Sequence, residues 1–240
     1  MPSDPRLRAL LVLLCHACLP AKMAQADSAS ADRIYHPYVQ PLEKEIELRT
    51  LFEDDRRGED RWLTKLGYGR SLGSRWAVEG YLIGARTTGE SFSLAAYELE
   101  ALWQVTEQGE YAADWGALFE LEKEDGADIW EASAALLSER QWGRYVGTAN
   151  LRVGYEGGGD IDNEWESALA LQGRYRWRPQ LEPALEFHAA QDLLAVGPVL
   201  LGTVRLQGAL GLRWEAGLFA GLDGDSPDLT ARAVLEYEFF

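Results

Sequence analysis

Residues 229–240 read "LTARAVLEYEFF", and the way this stretch divides poses the fold question for the whole chain. Alternate residues form one set of Leu229, Ala231, Ala233, Leu235, Tyr237 and Phe239, and a second of Thr230, Arg232, Val234, Glu236, Glu238 and Phe240. A period of two puts each set on its own face of a β-strand. A soluble sandwich and a barrel with lipid outside and polar groups inside both use such strands, so the neighbouring segments must choose.

Working back along the chain, the pattern repeats. "KEIELRTLF" sets Ile46, Leu48, Thr50 and Phe52 against Glu45, Glu47 and Arg49, and "YELEALWQV" sets Tyr97, Leu99, Ala101, Trp103 and Val105 against Glu98, Glu100 and Gln104. "EWESALALQGRYRW" does the same with Trp165, Leu169, Leu171, Tyr175 and Trp177 opposite Glu164, Glu166, Gln172, Arg174 and Arg176. The spacing predicts strands near 43–52, 61–71, 75–86, 92–106, 111–122, 129–139, 144–155, 164–177, 181–189, 198–206, 209–221 and 229–239. Beyond the N-terminal stretch, no apolar run approaches the ~20 residues of a spanning helix. The connections sort into tight turns ("SLGS", "EQGE", "QWGR", "RPQ", "LQGA") alternating with acidic or glycine-rich loops ("EDDRRGED", "RTTGES", "KEDGAD", "EGGGDIDN", "AQDLLAVG", "GDSPD"). That alternation predicts an all-β, transmembrane, antiparallel up-and-down β-barrel of about twelve strands over 43–240, with both ends on the short-turn, periplasmic side. A soluble two-sheet domain would instead bury one shared apolar core. The opposite face here is too charged for that. Aromatics also gather at strand ends, at Trp62, Trp76, Trp103, Tyr111, Trp130, Tyr145, Trp165, Trp177 and Tyr237, as interfacial girdles require.

The first 26 residues carry Arg6 and Arg8, an apolar run from Ala9 to Leu19, and Ala24-Gln25-Ala26. This is the pattern of a cleaved secretory signal peptide. A lipoprotein site at Cys18 fits less well, because Cys15 and His16 precede it. Residues 27–42 are then expected as a periplasmic N-terminal segment. Removing Arg6, Arg8, Lys22 and Asp4 from 23 basic and 39 acidic residues leaves 20 and 38, a formal charge of −18. So acidic a chain repels nucleic acid. Both cysteines leave with the first segment, so no disulfide, thiolate ligand or cysteine nucleophile is expected.

"YHPYV" with "EIELR" (35–39, 45–49), "LTKLGYG" (63–69), "YELE" with "TEQGEYAADWG" (97–100, 106–116), "LEFH" (185–188), "GPVLLG" (197–202) and "SPDLTARAVLEYEF" (226–239) resemble a family of uncharacterised bacterial outer-membrane barrel proteins, often labelled only transporter-like. The resemblance implies a barrel of this size in the outer membrane of a Gram-negative cell, and no substrate. The phase Leu235, Tyr237, Phe239 also resembles the C-terminal signature read by the outer-membrane assembly machinery, with Phe240 one residue beyond it. Expected partners are therefore outer-membrane lipid and the export and assembly machinery.

The charged phase places Glu79, Glu98, Glu100, Asp114, Glu120, Glu122, Glu164, Glu166, Arg174, Arg176, Glu186, His188, Arg213 and Glu215 on the lumen wall, with Arg49, Lys65, Arg152, Arg232 and Glu236 among their neighbours. Two readings stand. Acid-rich rings line a passive channel for small polar or cationic solutes, or the charges pair into a network filling a non-conducting structural barrel. A lipid-modifying enzyme needs a hydroxyl nucleophile beside a base. Outside the first 26 residues only His36 and His188 offer an imidazole, and His188 has no serine at the near same-strand positions, so no catalytic set is expected. No cofactor motif is present, and "DGDSPD" and "GGGDIDN" read as acidic turns or loose Ca²⁺ loops.

Overall fold

The computed structural model describes residues 31–54, 58, 60–206, 208 and 210–240. The signal-peptide segment 1–26, with Cys15 and Cys18, lies outside the described residues. Twelve strands follow one another: β1 Lys44–Asp54, β2 Arg61–Ser71, β3 Trp76–Thr87, β4 Ser93–Gln104, β5 Asp114–Glu124, β6 Ile129–Trp142, β7 Tyr145–Gly158, β8 Glu164–Tyr175, β9 Glu182–Ala189, β10 Leu194–Arg205, β11 Gly211–Gly221 and β12 Leu229–Phe239. Each pairs antiparallel with its sequence neighbours. β12 returns to β1 in a continuous register from Lys44↔Phe239 to Asp54↔Leu229, closing the barrel without an edge.

The packing is inverted relative to a soluble protein. Ile46, Leu48, Leu66, Leu82, Leu99, Leu121, Leu136, Leu151, Leu200, Leu218 and Leu235 are exposed on the outer wall. Glu47, Arg49, Lys65, Glu98, Glu100, Glu186, Arg232 and Glu236 are buried inside it. An apolar exterior around a charged interior is stable only with hydrocarbon outside, so the strands span a membrane. Aromatic pairs mark the two rims: Phe52–Trp62 and Tyr155–Trp165 at one, Trp76–Trp103, Tyr145–Tyr175 and Tyr237–Phe239 at the other. Cations at strand ends lie over rings, Lys44 over Phe239, Arg86 over Trp62, Lys123 over Trp130 and Arg140 over Trp142. Long basic stems there run along apolar surface and lift their charge to the interface.

Three expectations are corrected. β5 begins at Asp114 rather than 111, because Asp114 accepts the Gly109 amide (2.7 Å) and the Trp115 amide donates to the Thr106 hydroxyl (2.8 Å), which keeps Tyr111 in the turn. β10 begins at Leu194 rather than 198. Gly197-Pro198 reads as punctuation, yet it pairs with Glu186 and Leu185 of β9 inside the strand, and a Cβ on Gly197 would collide with the Leu218 carbonyl of β11. The contrast between short and long connections also fails. One end has 72–75, 105–113, 143–144, 176–181 and 206–210, and so holds both the longest and the shortest; the other has 55–60, 88–92, 125–128, 159–163, 190–193 and 222–228.

Candidate functional site

Of the segment 27–42, expected as a periplasmic N-terminal segment, residues 31–39 lie in the lumen and 40–42 are exposed at its mouth. From the β1 end, the chain runs backwards up the barrel axis from Gln40 to Ala31, burying Val39, Pro37, Ile34 and Ala31. An irregular segment inside a barrel must have its backbone satisfied by the wall, and here inward side chains do it. Asn150 of β7 accepts the Tyr35 amide (2.7 Å) and donates to the Tyr35 carbonyl (2.9 Å), imitating a strand partner. Gln104 accepts the Val39 amide (2.8 Å), and Arg232 donates to the carbonyls of Ala31 (3.1 Å) and Asp32 (2.6 Å). Gly116 leaves room for Pro37, since a Cβ there would lie 2.9 Å from the Pro37 ring.

Side chains of the segment extend the network. Asp32 accepts two bonds of 2.8 Å from fully buried Arg49 and lies 3.5 Å from Lys65. Arg33 pairs with Glu47 and, at 2.8 Å, with Glu236. The hydroxyls of Tyr35 and Tyr38 donate to Glu100 (2.6 Å) and Asp114 (2.7 Å), and His36 meets Glu139 at 2.5 Å. Apolar contacts complete the seal. Ala31 packs with Leu193, Ala195, Val199, Leu201 and Phe219, and Tyr35 packs on Leu118, Ala135 and Leu137.

The segment separates two polar cavities that share Arg33 and Tyr35. The one toward the 190–193 connection, of about 180 Å³, is lined by Lys65, Glu98, Glu120, Glu122, Glu131, Arg152, Glu166 and His188. The one toward the β1 start, of about 350 Å³, is lined by Glu43, Glu45, Glu79, Glu139, Arg174, Arg176, Glu182, Arg213 and Glu215. The predicted wall residues thus divide between two chambers. Glu98, Glu120, Glu122, Glu166 and His188 face the first, and Glu79, Arg174, Arg176, Arg213 and Glu215 the second. Glu100 and Asp114 bind the segment, while Glu186 is tied to Arg232 (2.9 Å), Gln172 (2.8 Å) and His188 (3.0 Å). Glu164 keeps the inward phase at the first residue of β8, opposite Glu156, and Arg205 emerges exposed at the end of β10.

The wall charges are largely paired. Lys65 holds Glu98 at 2.8 Å, Arg152 bridges Glu120 (2.9 Å) and Glu131, and Arg213 spans Glu236 (3.0 Å) and Glu238 (2.5 Å). At the mouth, Glu43 is pushed up to about 7, chiefly by burial, with Glu238, Glu236 and Glu79 adding to the shift against Arg213. Among the described residues neither histidine bonds a serine hydroxyl; His36 is spent on Glu139 and His188 on Glu186. The acidic loops bind their own backbone. Asp160 accepts the Asp128 amide (2.6 Å), and Asp223 accepts the amide and hydroxyl of Ser226, which hold its carboxyl below the ordinary value.

Sequence reasoning missed Asp32, Arg33, Tyr35, Tyr38 and Asn150. A segment satisfied by side chains has no period to read, and the two tyrosines around Pro37 were its only signal.

No protein-family model and no characterised protein sequence matches the chain. Solved structures match its fold. An outer-membrane channel from Pseudomonas putida F1 is 13% identical with a TM-score of 0.57, over 88% of this chain and 99% of that one. A KdgM porin in complex with disordered oligogalacturonate is 10% identical with a TM-score of 0.53, over 82% and 98%. The β-domain of the Bordetella autotransporter BrkA is 13% identical with a TM-score of 0.53, over 82% and 99%. The chain therefore has the twelve-stranded barrel fold of bacterial outer-membrane proteins.

Proposed function

We propose that this barrel is an outer-membrane channel for small polar or cationic solutes, and that residues 31–40 shut it in the described state. The observation that carries the reading is the pair of acid-rich chambers toward the two ends of the lumen, between which lies a segment that belongs to no strand. In this reading the twelve-strand ladder, which does not include that segment, stands without it and the chambers join. The excess of Glu over Arg then favours cations, and is the wrong sign for a polyanion such as the oligogalacturonate of the KdgM complex. The end that admits residues 31–43 faces the periplasm in this reading.

Planar-bilayer recording tests it. The full chain is expected to show rare, brief openings, and the chain lacking residues 31–40 a steady, cation-selective conductance. Adding Glu98→Gln and Glu100→Gln to the shortened chain should lower that selectivity. The second reading, a non-conducting structural barrel, is favoured by the dense pairing around Arg49 and Arg232. It predicts silence from both forms, together with heat-modifiable migration showing that both are folded.

A further inference from the structure

The outer wall departs from smooth apolarity between β6 and β9. Outward residues fall into rows across these strands. The outermost row is Trp142, Tyr145 and Tyr175; the next inward is Arg140, Gly147, Gly173 and Leu185; below it lie Ser138, Ala149, Leu171 and Phe187. With two adjacent glycines in the middle row, the wall sinks into a shallow groove of about 540 Å³. Trp142 leans over Gly147, where an added Cβ would meet its ring at 3.1 Å, while nothing lies within 4 Å of one on Gly173. The open floor is therefore Gly173 and Ala149, walled by Trp142 on one side and Leu185 and Phe187 on the other.

One member of this groove is out of character. Arg140 faces lipid one row inside the aromatic girdle, makes no ion pair among the described residues, and rests its guanidinium 4.9 Å over the Trp142 ring. An arginine on the lipid side of a barrel is costly at depth and becomes tolerable where it reaches the headgroup level. Exposed Arg144 and Arg178 lie in the adjoining turns, so an anion at that level meets further cations. The apolar floor lies below, and the Arg140 guanidinium, carried out to the level of the Trp142 ring, stands with the arginines of the turns above it, matching the acyl chain and the phosphate of a phospholipid.

We infer that this groove binds one phospholipid of the adjacent leaflet, its phosphate on Arg140 and one acyl chain over Gly173. The site stands apart from the lumen, and it rests on the proposed orientation only for the leaflet concerned. A second copy of the chain fits less well, because a self-complementary contact through this groove would bring two unpaired Arg140 side chains onto one apolar face.

Delipidated protein titrated with phosphatidylglycerol, and separately with diacylglycerol, and read by native mass spectrometry, tests the site. One phosphatidylglycerol should stay bound, and diacylglycerol should not. Arg140→Gln should weaken retention roughly fivefold, the weight of one basic side chain at an anionic lipid surface. Gly173→Leu, which fills the groove without backbone strain, should abolish it, while both variants keep heat-modifiable migration and wild-type conductance. Equal retention by either variant, tight diacylglycerol binding, or a dimer that excludes lipid would overturn the proposal.

Discussion

Arg49 shows how far a single side chain commits this interior. It is fully buried, bonds Asp32 and Glu47, and stacks its guanidinium on Tyr35 and Tyr81 at 5.7 and 5.5 Å. Removing one partner of a buried ion pair strands the others, at a cost of about 3–5 kcal/mol. Arg49→Met should therefore lower the urea unfolding midpoint of refolded protein markedly; an unchanged midpoint would show that Lys65 and Arg33, which also meet Asp32 and Glu47, suffice to hold them. Asn150→Ala, which leaves the Tyr35 amide and carbonyl unsatisfied, should cost about 1–3 kcal/mol in the same titration. Glu43 sets a pH dependence. Its carboxyl is raised from an ordinary 4.5 to about 7, so between those values the folded chain holds a proton that the unfolded chain releases. Its contribution makes stability fall as pH rises through that window, and Glu43→Gln should flatten the profile there.

The elements divide into those written in a period and those written in contacts. All twelve strands were legible, because apolar and charged residues alternate over nearly every one and lipid enforces the pattern on the outer face. Their ends were less so. Gly197-Pro198 carries the composition of a turn but serves a close approach of backbones, and Tyr111 lies in a turn whose bonds run from Gly109 and Thr106. The inward phase likewise told which charges face the lumen, while what they hold there was hidden. Yet the stretches behind the family resemblance, "YHPYV", "EIELR", "LTKLGYG", "YELE" and "LTARAVLEYEF", are those that meet in the central network: Tyr35 and His36, Glu47 and Arg49, Lys65, Glu98 and Glu100, Arg232 and Glu236. Gly116 offers a test at this scale. A larger side chain there strikes Pro37, so Gly116→Leu should drive the segment from the lumen and speed tryptic cleavage after Arg33, which is 13% exposed in place. Cleavage as slow as in the wild type would mean that Pro37 does not set the position of the segment.

At the scale of the molecule the two rims differ in charge rather than in connection length. Arg70, Arg75, Arg140, Arg144, Arg176 and Arg178 are exposed at the end where residues 31–43 enter and outnumber Glu107 and Glu110 there, while Glu90, Asp125, Asp160, Asp192, Asp223 and Asp225 outnumber Arg86 at the other. Orientation follows from labelling on whole cells. An impermeant thiol reagent should reach Ser91→Cys and Asp192→Cys but not Ser74→Cys, and the opposite pattern would invert the topology. In the proposed function residues 31–40 block a continuous path through the barrel. A Cys pair at Pro37 and Gly116 places its sulfur-bearing carbons about 2.9 Å apart before relaxation, close enough to cross-link segment to wall after a small shift. Bilayer currents should be absent from the oxidised protein and should recover the wild-type openings on reduction. Openings that persist with the cross-link formed, or silence in both states, would contradict the account.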